Sequence, residues 1–232
     1  YLKNYKFDRA IESFKEYLTH VDYWDFAENE YVNRYIKSCE VAKELIKDPL
    51  PIDFKHQILS HDPDASFSCP VTSGNDSIMI FHVSMPSSEE IAMVYKIDSA
   101  TWSEPVMINN ELEISGNHFP TSLSFDGKTL FLVVTDDMKS DIYVSHFDGL
   151  NWSKAKDIGS PVNSRHLETH ASISADENTL YFTSNRKDGW GGLDIYRCEK
   201  GKNGKWKNAE NLGFGINTYY NEETPFIADN DS

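Results

Sequence analysis

The feature that most constrains the fold of this 232-residue chain is a unit of about 50 residues that recurs along its second part. The segment S-F-D-G-K-T-L-F-L at 124–132 returns as S-A-D-E-N-T-L-Y-F at 174–182, and D-I-Y at 141–143 returns at 194–196. A weaker copy, N-D-S-I-M-I-F, ends at Phe81. Periods of about 40 to 50 residues that hold several short alternating strands are typical of β-propeller blades.

Each unit also carries a tryptophan after the D-I-Y strand and then a turn that contains asparagine. The tryptophans are Trp102, Trp152 and Trp206, and the turns I-N-N-E-L, I-G-S-P-V-N and L-G-F-G-I-N begin at 108, 158 and 212. A large indole at a fixed place would pack one blade against the next. We therefore expect three blades of four antiparallel strands near 62–114, 115–165 and 166–218, with an incomplete fourth beginning at 221.

A tight hairpin is predicted before each L-Y-F strand. Asn75-Asp76, Asp126-Gly127 and Glu177-Asn178 stand where such a turn needs a positive φ. Strand alternation would then place one face of L-Y-F between blades, and we expect an aspartate at Leu180 and one at Phe182 to have unequal effects. Three blades of an open propeller are also expected to leave apolar faces uncovered on both flanks.

Residues 1–48 follow a helical period instead. Apolar residues recur at three- and four-residue steps in two runs, which predicts two amphipathic helices, the first capped by Asp8 and the second stopped by Pro49 and Pro51. Residues 49–61 are then a linker or an outer strand of the propeller, and 62–232 are the propeller itself. The two runs are Ala10, Ile11, Phe14, Tyr17, Leu18 and Val21, and Tyr31, Val32, Tyr35, Ile36, Cys39, Ala42, Leu45 and Ile46.

Charge and cysteine content narrow the functional classes. The chain has a formal net charge of −15, and residues 50–232 carry −13 of it. Such a surface repels phosphate backbones and anionic lipid head groups, which argues against nucleic-acid binding. Cys39, Cys69 and Cys198 are isolated thiols without a C-x-x-C pair, so we expect buried structural cysteines and no zinc site or disulfide framework.

The third unit, S-A-D-E-N-T-L-Y-F-T-S-N-R-K-D-G-W-G-G-L-D-I-Y-R at 174–197, resembles the Pro-Asp propeller repeat of TolB-like proteins. Ala175 stands where that repeat usually has proline, and Glu177-Asn178 stands where it usually has Gly-Lys. The segment N-Y-K-F-D-R-A-I-E-S-F-K-E-Y-L at 4–18 is similar to the second half of a tetratricopeptide repeat, with Asn4 in place of glycine. The resemblance implies a multidomain protein, α plus all-β, in which tetratricopeptide-like helices precede a partial β-propeller of four-stranded antiparallel blades.

This order of domains resembles a family of Bacteroidota envelope proteins that includes PorE-like components of the type IX secretion system. In that family an OmpA-like peptidoglycan-binding domain follows the propeller. The resemblance implies an outer-membrane lipoprotein facing the periplasm, whose partners are other envelope proteins and, through a domain outside this chain, peptidoglycan. Membrane attachment would come only through an N-terminal lipid anchor outside this chain.

The most distinctive polar residues belong to the repeat, so we expect structural roles for them. Arg186 is expected to pair with Asp194 across a wide hairpin that glycines such as Gly192 permit. The full set of repeat residues is Trp102, Trp152, Trp206, Asp141, Tyr143, Arg186, Gly192, Asp194 and Tyr196.

No catalytic, cofactor-binding or metal-binding residues are predicted. His166 and His170 flank Glu168, but the segment is not H-E-x-x-H and falls where a blade begins. Ser124–Thr129 resembles a sialidase Asp-box, which is itself a structural hairpin. Asp229, Asn230 and Asp231 lack the rest of a calcium loop. No G-x-S-x-G, Walker loop or arginine cluster that could clamp a carboxylate is evident.

The sequence favours a non-enzymatic interaction scaffold, because helical repeats and propellers both recruit partners without chemistry. Two alternatives stay open. The propeller could be the accessory module of a hydrolase of the peptidase or sialidase type. It could also bind glycan or peptidoglycan through exposed aromatic residues such as Trp190, Tyr219 and Tyr220.

Overall fold

The computed structural model describes residues 5–49, 64–99, 101–136 and 139–228. The chain divides into two compact units, residues 1–55 and 56–232. Of the predicted 49–61 linker only Pro49 falls within the described residues, and the acidic run at 229–231 lies outside them.

The first unit contains two helices, α1 at Phe7–Leu18 and α2 at Phe26–Leu45. Their shared core consists of Phe7, Ala10 and Cys39, against which Ile11, Phe14 and Ala42 pack. The carboxylate of Asp25 caps α2 by accepting from the Glu28 amide at 3.1 Å. The predicted cap at Asp8 is wrong, because α1 begins at Phe7 with Lys6 in the N-cap position, and Asp8 lies in the first turn, where a negative charge interacts favourably with the helix dipole.

Two packed helices are thus confirmed, whereas a tetratricopeptide-like arrangement stays a prediction. Among the described residues, no helix combines the length and the apolar character that crossing a bilayer requires.

The second unit contains three four-stranded antiparallel sheets, each laid out in chain order. The first sheet is β1 Ser66–Thr72, β2 Ile78–Met85, β3 Ser88–Tyr95 and β4 Val106–Met107; the short helix α3, Asn109–Leu112, follows it. The second is β5 Asn117–Leu123, β6 Thr129–Thr135, β7 Ser140–His146 and β8 Lys156–Asp157. The third is β9 Glu168–Ile173, β10 Thr179–Ser184, β11 Asp194–Lys200 and β12 Trp206–Asn211. We call these sheets blades 1, 2 and 3; the strands of each fall within one of the three ranges expected for a blade.

A serine side chain organises the first hairpin of each blade. In blade 3 the Ser174 hydroxyl accepts from the Thr179 amide at 3.0 Å and donates to Asp176 Oδ1 at 2.6 Å. Ser124 does the same in blade 2 with Thr129 and Asp126, at 2.9 and 2.7 Å. The Asp-box-like segment is therefore a turn in which serine and aspartate satisfy backbone amides.

The same hairpins require left-handed backbone at equivalent positions. Asp76, Gly127 and Glu177 have φ values of 53°, 74° and 57°. In blade 3 the positive φ falls on Glu177, the first residue of the predicted pair Glu177-Asn178, whereas in blades 1 and 2 it falls on the second residue of the pair. Only glycine adopts this conformation without steric cost, so the turns at Asp76 and Glu177 carry backbone strain.

Adjacent blades bury apolar side chains between them. Between blades 1 and 2 the core is Ile78, Ile80, Ile91, Met93, Ile108, Leu112, Leu123, Leu130, Leu132, Trp152 and Ala155. Between blades 2 and 3 it is Phe131, Ile142, Val162, Ala171, Ile173, Leu180, Phe182, Tyr196 and Cys198, with Trp206 packed against it. Trp152 and Trp206 therefore sit between their own blade and the one before; the Trp152 indole nitrogen lies 3.4 Å from the Met93 sulfur.

The L-Y-F strand of blade 3 points Leu180 and Phe182 the same way. Both side chains are fully buried in the core shared with blade 2, and Tyr181 between them is half-buried. The expectation that they would differ is wrong, since residues two apart in a strand share a face.

The apolar face of blade 1 that points away from blade 2 is not exposed. Phe81, Val83, Ala92 and Val94 are buried there. Ala65, Met79, Met85 and Trp102 pack against them. The expectation of an uncovered apolar flank is wrong for these residues. By strand alternation, the face of blade 3 that points away from blade 2 carries a more polar set: Thr179, Tyr181, Thr183, Ile195, Arg197 and Glu199.

A hydrogen bond from a backbone amide to a serine hydroxyl repeats along the propeller unit. The Ile173 amide donates to Ser122 Oγ at 3.2 Å, and one repeat later the Ile227 amide donates to Ser172 Oγ at 3.1 Å. Residues 225–228 therefore take the place beside blade 3 that β9 takes beside blade 2.

The asparagine of each closing turn holds the third strand of its blade. The side-chain oxygen of Asn163 accepts from the Ile142 backbone N–H at 2.9 Å, and its side-chain nitrogen donates to the Ile142 carbonyl at 2.8 Å. Asn217 makes the same pair of bonds with Ile195, at 2.8 and 2.9 Å. These side chains imitate a neighbouring strand just beyond the end of β8 and β12.

Candidate functional site

The polar residues singled out in the sequence gather at one end of blade 3. In an antiparallel meander the first and third strands begin at the end where the second and fourth finish. The loop at 158–167, which leads into β9, and the loop at 185–193, between β10 and β11, therefore lie side by side.

The centre of this end is Glu168, whose side chain is fully buried. Its carboxylate accepts from the Ser164 amide and hydroxyl at 2.9 and 2.8 Å, from the Ser184 hydroxyl at 2.7 Å and from Arg186 Nε at 3.4 Å. A buried charge is tolerated only when it is paired and hydrogen-bonded, as it is here. Glu222 repeats the first two bonds with Thr218, which makes this a repeat-forming residue.

Arg186 pairs with Glu168 and not with Asp194, which corrects the sequence-based expectation. Its Nη2 also donates to the carbonyl oxygens of Pro161, at 2.7 Å, and of Val162. Its guanidinium carbon lies 5.1 and 5.4 Å from the ring centroids of Phe182 and Tyr196. Arg186 thus joins the two loops, and sequence alone could not select its partner because Glu168 and Asp194 are both acidic neighbours in the repeat.

Asp194 organises the loop before it. Its carboxylate accepts from the Trp190 and Gly191 amides, the latter at 3.1 Å, and from Asn211 Nδ2 at 3.0 Å. A Cβ on Gly191 would lie 1.9 Å from the Tyr220 carbonyl oxygen, and one on Gly192 would lie 2.3 Å from the Asn221 side-chain oxygen. These glycines allow the loop to contact the segment at 218–221. The sequence-based expectation was only that they permit a wide hairpin.

The remaining repeat residues serve the blades in different ways. Asp141 is buried beside the Lys139 ammonium group, and Tyr143 packs against the core of blades 1 and 2. Tyr196 donates to Asp188 at 3.2 Å, and burial raises the pKa of its phenol to about 12. Trp102 pairs with the backbone of Lys96, whose ammonium lies 5.6 Å from the indole centroid.

His166 and His170 do not form a metal site with Glu168. The structure holds no group of three metal-ligating side chains within its described ranges, 5–49, 64–99, 101–136 and 139–228. Glu168 is committed to Ser164, Ser184 and Arg186, and burial lowers the pKa of the His170 imidazole.

A serine–histidine–glutamate triplet that was not foreseen from the sequence crosses blade 1. Ser68 Oγ lies 3.1 Å from His82 Nδ1, and His82 Nε2 lies 2.7 Å from Glu89 Oε2. Burial lowers the pKa of His82 although Glu89 opposes that shift, so the imidazole is held neutral. The three residues come from adjacent strands and are separated by 14 and 7 positions in sequence, so only the strand register between β1, β2 and β3 could have revealed them.

Aromatic side chains are exposed in both units. In the helical unit Tyr23, Trp24 and Phe26 cluster just before and at the start of α2, and 74% of the Trp24 surface is accessible. In the propeller unit Trp190 and Phe214 lie with their ring centroids 5.7 Å apart. Large exposed aromatics are common at recognition surfaces, since they add contact area at small entropic cost.

The cysteines follow the prediction at two of three positions. Cys39 and Cys198 are buried, and burial raises the pKa of Cys198 to about 11, so its thiol stays protonated. Cys69 is exposed, against expectation, at a bulge in β1 where its φ is 51°.

Comparison with solved structures gives the propeller unit a known relative in fold. TolB from Acinetobacter baumannii superposes with a TM-score of 0.52 at 16% identity, over 75% of this chain and 38% of that one. A TolB-type structure from Agrobacterium tumefaciens gives 0.47 at 15% identity, over 73% and 57%. A prolyl endopeptidase gives 0.41 at 19% identity, over 68% and 23%. No family model and no curated protein matches the sequence.

The chain thus combines two N-terminal helices with a partial β-propeller of the TolB-like fold. It spans 38% of the length of the Acinetobacter protein and 57% of the Agrobacterium one.

Proposed function

We propose that this chain is part of a non-enzymatic interaction scaffold in the periplasm of a bacterium, associated with the outer membrane. The TolB-like fold and the order of helices before propeller support this proposal. The finer assignment, to a PorE-like envelope protein linked to type IX secretion or peptidoglycan anchoring through an OmpA-like domain, rests on the sequence resemblance.

One observation carries the proposal: the conspicuous ionic groups at the loop end of blade 3 serve the fold. Glu168, Arg186 and Asp194 each hold backbone or side-chain partners within the blade. Groups committed in this way cannot bind or transform a substrate without breaking the blade. Exposed aromatic residues are then the natural contact surfaces, and the helical unit has the larger cluster.

We expect the aromatic cluster of the helical unit to make the principal partner contacts. Pull-down from solubilised envelopes should recover partners with the intact chain. Recovery should fall at least about fivefold after deletion of residues 1–48 or in the Trp24→Ser/Phe26→Ser variant, since tryptophan is enriched among the interface residues whose truncation costs more than about 1 kcal/mol. Trp190→Ser is the matched control on the propeller. If recovery is undiminished with Trp24→Ser/Phe26→Ser but is lost with Trp190→Ser, the partner contact lies on the propeller and not on the helical unit.

Two observations favour other functions. The Trp190–Phe214 pair could stack on a sugar ring, which suits glycan or peptidoglycan recognition. The Ser68–His82–Glu89 chain has the order of groups that activates a serine nucleophile, which suits a hydrolase. We favour a structural role for these three residues, because the serine and the histidine are directly paired cross-strand neighbours. The ring of Phe119 also packs against the imidazole, at a centroid distance of 4.7 Å.

The hydrolase alternative can be tested directly. A fluorophosphonate probe, which labels activated serines, is expected to leave the chain unlabelled above the level of Ser68→Ala. Ester and peptide substrates should likewise show no turnover above that of His82→Gln. Labelling that disappears in Ser68→Ala, while Ser66→Ala keeps it, would assign a nucleophile to blade 1 and overturn the non-enzymatic proposal.

A further inference from the structure

A basic pocket lies between the two loops at the end of blade 3. Its volume is about 540 Å³, and its cationic lining consists of Arg165, Arg186 and Lys187, with His166 beside them. Ser160, Ser164 and the carboxylate of Asp188 complete the polar wall. This concentration of cations is unusual in a region that carries a net charge of −13, and no cluster of this kind could be foreseen because the two loops are about 20 residues apart in sequence.

The cations of this pocket differ in what they already bind. Arg186 is committed to Glu168 and to two carbonyl oxygens, so it forms a fixed wall. Arg165 and Lys187 are exposed, and neither takes part in an ion pair among the described residues. A guanidinium and an ammonium that the fold does not use are available to a ligand.

The internal repeat separates the scaffold of this loop from its variable positions. The loop at 218–222 corresponds to the loop at 164–168, and both build the same bonds, from Ser164 to Glu168 and from Thr218 to Glu222. Between those anchors, Arg165-His166 is replaced by Tyr219-Tyr220. The loop forms with either pair, so the arginine and the histidine are not needed for its conformation.

We propose that this pocket binds the carboxylate of a peptide segment, with Arg165 and Lys187 as the ionic partners and the Ser160 hydroxyl as a further donor; the Ser164 hydroxyl already donates to Glu168. Arginine matches a carboxylate through two parallel N–H donors, and lysine adds a point charge. Asp188 disfavours polyanions such as nucleic acid, whereas a single carboxylate can avoid it. The inference deepens the proposed scaffold function by naming the chemistry of one contact, and it rests on that function for its biological role.

The test is an NMR titration of the intact chain with three peptide probes. They are acetyl-Gly-Ala-Ala with a free carboxyl terminus, the same peptide as its amide, and acetyl-Gly-Glu-Gly-amide. We expect amide shifts at 160–167 and 185–188 with at least one of the two carboxylate peptides, and at least about tenfold weaker binding of the neutral peptide. Raising the salt concentration should weaken binding, since the contacts are exposed. The preferred peptide tells whether a chain terminus or an acidic side chain is the source.

Arg165→Tyr/His166→Tyr is the decisive variant, because Tyr219-Tyr220 shows that the loop tolerates these residues. It should keep the thermal unfolding midpoint and lose about tenfold in affinity, the order expected when a charge-assisted hydrogen bond is removed. Lys187→Gln should also weaken binding, and Lys202→Gln, an exposed lysine outside the pocket, should not. Equal binding of acid and amide peptides, no binding of either carboxylate peptide, or full affinity in the double variant would overturn the proposal. None of these results depends on partner recovery by the helical unit.

Discussion

Leu180→Asp and Phe182→Asp are each expected to unfold the propeller unit. Both side chains are fully buried between blades 2 and 3, so each change removes a large apolar group and leaves a charge in the core. Losing the apolar contacts alone costs about 2 to 5 kcal/mol, and an unpaired buried charge adds several more. That sum approaches the whole stability of a typical domain, about 5 to 15 kcal/mol. Far-UV circular dichroism and thermal melts should show no cooperative transition for either variant.

Tyr181→Asp is the matched control within the same strand. Its side chain is half-buried and points to the opposite face, so the variant should fold, with a lower unfolding midpoint. If Leu180→Asp or Phe182→Asp melts like the unaltered chain, the assignment of that face to the interface between blades is wrong.

Arg186→Ala is expected to destabilise the chain by about 3 to 5 kcal/mol, because it leaves the fully buried carboxylate of Glu168 without a cationic partner. It also frees the carbonyl oxygens of Pro161 and Val162 and removes the cation from the rings of Phe182 and Tyr196. Urea denaturation, followed by the change in midpoint, measures the effect.

The control for this pair is Arg197→Ala. Arg197 and Glu210 also form an ion pair, at 3.2 Å, but both side chains are about half exposed, and such pairs contribute about 0.2 to 1 kcal/mol. Similar losses for the two variants would contradict the claim that burial makes the Arg186–Glu168 pair important.

The blades could be predicted because each level of sequence information agrees with the others. Period, alternation and hairpin residues all recur at intervals of about 50, so strand order and limits follow from the repeat. Which face of each strand packs between blades was harder to predict. Alternation places Leu180 and Phe182 on one side of the strand, so the expectation of unequal effects did not follow from it; which side meets blade 2 depends on packing between sheets.

The site was less predictable because its contacts join loops rather than strands. Arg186 has two acidic candidates in the repeat, and only the fold shows that Glu168 lies against it while Asp194 turns to the amides of its own loop. The Ser68–His82–Glu89 chain depends in the same way on strand register. The start of α1 was predicted wrongly for a simpler reason: aspartate is favoured both at the N-cap and in the first turn of a helix, so Asp8 fits either place in sequence.

The asparagine bonds to Ile142 and Ile195 also bear on how such blades can change over time. The fourth strand is two residues long in blades 1 and 2 and six residues long in blade 3. Asn163 and Asn217 nevertheless form hydrogen bonds with the equivalent residue of the third strand in blades 2 and 3. The asparagine bond lies next to the two residue pairs that the fourth strands of these blades share, whereas the extra residues of β12 pair at the opposite end of the strand. Insertions and deletions can accumulate at the outer rim of a blade without shifting its inner strands, so the rim is the place where new loops can be grafted and the blade still closes correctly.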